Sequence, residues 1–201
     1  MRHLAICVVA IALGTHAGQA AQSVRGTVTH FQSPAGVAEE CVALDPIPGG
    51  FYSEQDRAEE KSFCAIDFHV PSVALCPKTW STSAGTLVYD ISSGTHANDP
   101  ASFEREVCRR GGSAREEATR ELAKYKQTIN TPDSSATFST ASLLYYHLSR
   151  YFDTTVNVPV AVYRSMDKDS HRRRVTELGI RLTANKPSLR MIHAGWSALQ
   201  Q

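Results

Sequence analysis

The chain lacks a strong net charge, a long apolar run and a zinc-binding cysteine motif. Its 201 residues include 21 Lys and Arg against 20 Asp and Glu, for a formal charge of +1. With so little net charge, no overall field favours nucleic acid or an anionic membrane as a partner. The apolar run from Leu4 to Leu13 is too short to span a bilayer, and no later segment is long and apolar enough to cross one. These absences argue against a nucleic-acid-binding protein and against a transmembrane segment in the mature chain.

Residues 1–20 have the organisation of a secretory signal peptide. A basic start is followed by the apolar run and then by small and polar residues through Ala21. We expect cleavage after Ala20, with a retained N-terminal anchor as the alternative. The mature protein is then expected to be secreted or otherwise extracytoplasmic, in a periplasm or a secretory lumen.

The cysteines predict disulfide bonds. Cys7 leaves with the signal peptide, and an even number of cysteines remains in an exported chain, which favours two disulfides with three pairings still open. Zinc would prefer closer C-x-x-C or H-x-x-x-H spacings, which the sequence does not contain, so no metal site is expected. The disulfide candidates are Cys41, Cys64, Cys76 and Cys108.

The mature chain is predicted to be an irregular extension followed by one folded domain. Turn residues interrupt the apolar stretches of residues 21–60, whereas residues 61–201 carry alternating and helical patterns. The predicted elements of the first half are a short polar helix at Glu54 to Lys61, strands at Ser62 to Leu75 and Thr86 to Ile91, and a short helix at Phe103 to Arg109.

The tract from Ser113 to Thr128 has two interpretations. Helix propensity alone predicts one helix from Ala114 to Lys126. The alternative ends the helix near Arg120 and makes Leu122 to Thr128 a strand. In that strand Lys124 and Lys126 share one face, because side chains alternate with period two.

The second half is predicted to be richer in helix. Ser139 or Thr140 is expected to cap a helix with an apolar face of Ala141, Leu144, Tyr145, Leu148 and Phe152. Its aromatic residues (Tyr145, Tyr146, Tyr151 and Phe152) are expected in the core, as is a hydrogen-bonded His147. The later elements are a strand at Val160 to Arg164, a charged, exposed helix at Asp167 to Leu178 that includes Arg172 to Arg174, and a helix at Ser188 to Leu199. Together the patterns predict an α+β fold, a small and mostly antiparallel sheet with packed helices.

From about Leu122 to Gly179 the chain resembles the secretory-pathway kinases typified by the Golgi casein kinase. The resemblance is carried by Tyr125-Lys126, by Tyr146 to Arg150 in the following helix, and by Val158-Pro159-Val160 with Arg164. Met166 and the charged helix ending near Val175-Thr176 complete it. This stretch corresponds to the smaller, N-terminal lobe of that family. The exported location and the paired cysteines agree with such a family.

The resemblance implies a nucleotide site at two lysines. Lys126 would contact the α- and β-phosphates of ATP, bound with Mg²⁺ or Mn²⁺, and Lys124 is the second choice. The alternative for both lysines is an ordinary solvent-facing position on a helix. No particular protein partner is indicated.

Two departures from the family argue against turnover. Ser142 occupies the position of the helix glutamate that orients the lysine, although Glu104, Glu106, Glu116 or Glu117 could substitute in space. The acids after Arg164 (Asp167, Asp169 and Glu177) lie in one predicted exposed helix, and no Asp-Phe-Gly-like element follows. We therefore expect a truncated or inactive kinase-like lobe. The alternatives are a disulfide-stapled binding or structural domain without nucleotide, and a hydrolase with an unrecognised nucleophile.

Overall fold

A computed structural model of the chain describes residues 25–81, 83–110, 114–129 and 138–200. The predicted signal peptide, residues 1–20, lies outside this part. The strands are β1 (Gly26–Gln32), β2 (Ala38–Leu44), β3 (Val73–Pro77), β4 (Thr86–Asp90), β5 (Arg120–Tyr125) and β6 (Tyr163–Arg164). The α-helices are α1 (Glu54–Cys64), α2 (Pro100–Glu106), α3 (Ala114–Glu117), α4 (Thr140–Tyr151), α5 (Lys168–His171), α6 (Glu177–Thr183) and α7 (Arg190–Ala198).

Two antiparallel sheets organise these elements. One has the strand order β1-β2-β6 and the other the order β3-β4-β5. Short 3₁₀ turns follow α2 and precede α7, and a π-helical turn, Arg172–Thr176, joins α5 to α6. The predicted α+β class with antiparallel pairing is confirmed.

The β3-β4-β5 sheet is covered on both faces. Along β3, Ala74 and Cys76 pack with α2 residues on one face, while Val73 and Leu75 pack with Trp196 on the other. Because alternate side chains of a strand point to opposite faces, both sets become buried and the strand has no exposed side. Core residues pack on both faces of this sheet, and β5 is one of its two edge strands.

The first half of the chain contains more regular structure than the sequence predicts. Instead of an irregular segment, β1 and β2 form a hairpin in which Gly26 pairs with Leu44 and Gln32 with Ala38. A pairing of this kind depends on the partner strand and on β6, which lies far away in sequence and contacts β2.

The predicted strand at Ser62 to Leu75 is wrong over most of its length. A capping box at Ser53, which bonds to Asp56 in both directions, starts α1 and the helix continues through Cys64. Turns follow, and extended pairing begins only at Val73, after Pro71. The helix start therefore decided the local structure of Phe63, against its preference for strands.

The tract from Ala114 to Thr128 contains a strand, as the second interpretation predicts, and is not one continuous helix. A four-residue α3 ends at Glu117, and β5 then pairs with β4 from Arg120–Asp90 to Tyr125–Thr86. The strand begins and ends slightly earlier than predicted. Packing of Ala123 and Tyr125 against the buried cluster around Trp196 outweighs the helix propensity of the tract.

The C-terminal helices form where the sequence predicts them, but the first of them is partly buried rather than exposed. The segment from Lys168 to Thr183 is helical throughout, and one of its arginines, Arg174, pairs with Glu104 in the interior. The prediction of a solvated surface run is therefore wrong for Arg174. The buried residues of this segment are Ser170, His171, Val175, Thr176, Leu178, Gly179 and Thr183.

Two disulfides join the elements, as predicted. Cys41–Cys64 links β2 to α1, and Cys76–Cys108 links β3 to the 3₁₀ turn after α2. Such bonds persist in oxidising compartments, so the pairing agrees with an extracytoplasmic protein. Within the described ranges, no helix combines the length and apolar character needed to cross a bilayer.

Candidate functional site

A cleft of about 450 Å³ lies between the end of β5, the first half of α4 and residues 158–164. Its walls are mostly apolar. They are formed by Phe63, Ile66, Phe68, Ala123, Tyr125, Leu143, Tyr145 and residues 158–163, with Lys124, Lys126, Ser139, Thr140, Ser142 and Arg164 as the polar contributors. A concave, largely apolar site with a few convergent polar groups is the usual form of a ligand pocket.

Polar contacts with α1 set the orientation of α4. The Tyr146 hydroxyl donates to Glu60 at 2.9 Å, and Arg150 pairs with Asp56 at 2.7 Å. His147 Nδ1 lies 2.7 Å from the Tyr52 hydroxyl, which confirms the predicted hydrogen-bonded core histidine. These contacts turn one face of α4 toward α1 and direct another toward the cleft.

The predicted apolar face of α4 is consequently not its buried face. Tyr146 is buried, but Leu144, Tyr145 and Phe152 are 56%, 66% and 65% exposed. The aromatic residues are therefore not all core, as the sequence predicts. Periodicity located the helix correctly, yet the hydrogen-bonding partners on α1 decided which side is covered.

The two predicted lysines lie on the same wall of the cleft. Lys124 belongs to β5, opposite Leu87 of β4, and Lys126 follows the end of the strand. Desolvation and the neighbouring ammonium groups of Lys78 and Lys126 lower the pKa of Lys124 to about 8. Lys124 thus lies near two like charges, Lys126 on the cleft and Lys78 outside its lining.

No carboxylate neutralises these lysines in the described part of the chain, where no ion pair includes either of them. Ser142 lines the same cleft. The proposed substitutes are engaged elsewhere: Glu104 pairs with Arg174, Glu106 with Arg105, and Glu117 with Arg110. Glu116 does not line the cleft.

Arg164 is a further cation on the cleft, and its role as a candidate ligand contact was not predictable from sequence. Its side chain is 6% exposed, and its guanidinium carbon lies 3.9 Å from the Phe31 ring centre and 4.5 Å from that of Phe68. Its contact with an acid, Glu39, is long at 3.4 Å. Its Nε and Nη1 atoms are buried without a hydrogen-bond partner.

Glu39 contacts three groups, and its contact with Arg164 is the longest of them. One carboxylate oxygen lies 2.9 Å from His69 Nε2 and accepts the Asp167 backbone N–H at 2.7 Å. The other oxygen is left for Arg164. Burial lowers the pKa of Arg164, as expected for a guanidinium whose charge is incompletely compensated.

The donor set of the cleft does not suit a divalent cation. Mg²⁺ and Mn²⁺ prefer carboxylate oxygens, and the described lining residues include three cations and no Asp or Glu. Elsewhere in the described ranges, no group of His, Cys, Asp and Glu has the arrangement of a metal site.

Comparison with protein-family models, with curated proteins and with solved structures found no match to this chain.

Proposed function

We propose that this chain is a disulfide-stapled extracytoplasmic domain that binds a phosphate-bearing ligand, with a nucleotide as the first candidate. The observation that carries the proposal is the placement of Lys124 and Lys126 on a mostly apolar cleft, with no carboxylate partner for either lysine among the described residues. Phosphate oxygens would neutralise the ammonium groups, and the apolar walls would cover a nucleobase.

The backbone around the two lysines supports the proposed resemblance to a kinase N-terminal lobe. The lysine tract is extended and paired in a sheet, and α4 lies across the cleft from it. Ser142 stands where that family would need a glutamate. Because the described lining residues offer no acid to act as a base, we propose binding rather than phosphoryl transfer for this chain.

ATP is expected to raise the melting temperature of the purified chain, and Lys126→Ala is expected to weaken ATP binding by about tenfold to a hundredfold, since a charge-assisted hydrogen bond contributes about 1.5–3 kcal/mol. Lys124→Ala should weaken it to a smaller degree. Differential scanning fluorimetry over an ATP titration measures both effects.

The matched control is Lys186→Ala, which removes an exposed lysine outside the cleft and should leave the ATP response unchanged. A melting curve that millimolar ATP does not move, with or without a divalent cation, would exclude nucleotide binding. The remaining interpretation would then be a binding or structural domain without nucleotide.

ATP binding is also expected to weaken as the pH rises through about 8, where Lys124 loses its proton. Below this pH Lys124 is already protonated in the free protein, so it binds the phosphates without taking up a proton. Above it, binding must either take up a proton or proceed without that charge. Lys78 and Lys126 favour the neutral form of Lys124, and Glu121 opposes them.

Titration calorimetry between about pH 7 and 9.5 measures this dependence, and Lys124→Ala should flatten it. An affinity that is constant over the range in the native chain would contradict the assignment of Lys124 to the ligand.

A further inference from the structure

We infer that the cleft binds its phosphate ligand as a free polyanion, without a divalent metal ion, and that Arg164 supplies its innermost positive charge. The inference rests on the proposed function and specifies the chemical form of the ligand. A metal-dependent nucleotide site would require carboxylates beside the phosphates, which the described lining of this cleft does not provide.

The acids nearest to the cations are already committed. Glu121, the acid that acts on Lys124, bonds to Arg115 through Oε2. Glu39, the acid beside Arg164, is divided between His69, the Asp167 backbone and Arg164 itself. Neither carboxylate is therefore free to hold a metal ion against bound phosphates.

The cations of the cleft, in contrast, are incompletely compensated. Among the described residues neither Lys124 nor Lys126 has an ion-pair partner, and Arg164 meets Glu39 only at 3.4 Å. Desolvation and the charges of Lys78 and Lys126 disfavour the ammonium form of Lys124, and a bound anion would offset that repulsion. The guanidinium carbon of Arg164 lies 3.9 Å and 4.5 Å from the centres of two aromatic rings, and two of its nitrogens have no acceptor among the described residues. Buried donors without partners indicate a missing acceptor, and a guanidinium beside aromatic rings suits phosphate or carboxylate oxygens.

A metal ion would then weaken binding. Mg²⁺ chelated by the phosphates offsets part of the negative charge that the three cations attract, and it brings a hydration shell that apolar walls cannot accept. We expect the dissociation constant of ATP to be about threefold to tenfold lower in EDTA than in excess Mg²⁺.

The test is calorimetric titration of the native, disulfide-bonded chain with ATP, first in EDTA and then in excess Mg²⁺ or Mn²⁺. Tighter binding in EDTA supports the inference, and binding of equal strength with and without the metal ion contradicts it. Binding that appears only with a divalent cation overturns it and leaves the proposed nucleotide site standing. Absence of binding under every condition overturns both.

Variants of Arg164 and Glu39 test the inner cation. Arg164→Gln should weaken ATP binding in EDTA about tenfold, with Arg164→Lys retaining most of the affinity. Arg164 is buried, and its loss can unfold the chain. Glu39→Gln is therefore a second test, because removal of the competing carboxylate should tighten ATP binding. Unchanged affinity in a folded Arg164→Gln or Glu39→Gln protein would overturn the role of Arg164.

Discussion

Replacing Arg174 with alanine is expected to lower the free energy of unfolding by about 3–5 kcal/mol, because the change leaves a buried carboxylate without its cation. Arg174 Nη2 lies 2.6 Å from Glu104 Oε1, and Glu104 is only 8% exposed. The guanidinium also donates to the carbonyl oxygens of Phe68 and Val73, so it joins the π-helical turn to β3. Urea denaturation followed by circular dichroism measures the loss.

Arg173→Ala is the matched control, since Arg173 is the exposed neighbour in the same triplet and should cost less than about 0.5 kcal/mol. The size of the Arg174 effect should also depend on pH. Burial already raises the pKa of Glu104, and loss of Arg174 would raise it further. As the pH falls through that raised pKa, Glu104 becomes protonated and Arg174→Ala regains part of its lost stability. Equal losses for the two arginine variants at neutral pH would contradict the buried pair.

The arginine triplet shows where sequence reasoning about this fold ends. Three consecutive arginines flanked by acids are typical of a solvated helix, and Arg173 has that environment. Arg174 differs only because the fold brings Glu104 to it from 70 residues away. Pairings of that range leave no local pattern, and the pairing of β2 with β6, which is also distant in sequence, leaves none either.

Sequence patterns predicted a helix or strand correctly where the whole pattern lies within that one element. The strand-like segment at β4, the capping residue and periodicity of α4, and the even number of cysteines predicted a strand, a helix and two disulfides. The disulfide pairing required the fold. Propensity and packing disagreed at β5, and packing prevailed, which placed Lys124 in the strand and Lys126 just beyond it.

The residues that the sequence suggested for the candidate site lie together in the structure. Lys124, Lys126 and Ser142 line one cleft, and contact of the lysines with a nucleotide stays a proposal. Arg164 could not be recognised as a buried, poorly paired cation, because its burial depends on Phe31 and Phe68 from distant segments. Whether a charged side chain has a partner of opposite charge depends on the folded structure and leaves no pattern in the sequence.

Trp196→Ala is expected to lower the free energy of unfolding by about 3–5 kcal/mol, because it removes the largest buried side chain of the core. Trp196 is 0% exposed and packs with Leu75, Val88 and Ile192 between α7 and the β3-β4-β5 sheet. Its ring also lies directly over Gly179, where a Cβ atom would come within 2.5 Å of Cδ2. The rigid surroundings leave little room to collapse around the missing ring, so a cavity remains.

Trp80→Ala is the control, since Trp80 is 53% exposed and its loss should change stability by less than about 0.5 kcal/mol. The same core cluster contacts Ala123 and Tyr125 of β5, which places the lysine-bearing strand on the surface that Trp196 supports. Hydrogen exchange should therefore accelerate at β5 in Trp196→Ala and stay unchanged in Trp80→Ala. If β5 kept its protection while the rest of the sheet lost it, the strand would be held by something other than this core. The physical account of why a helix-prone tract is extended would then be wrong.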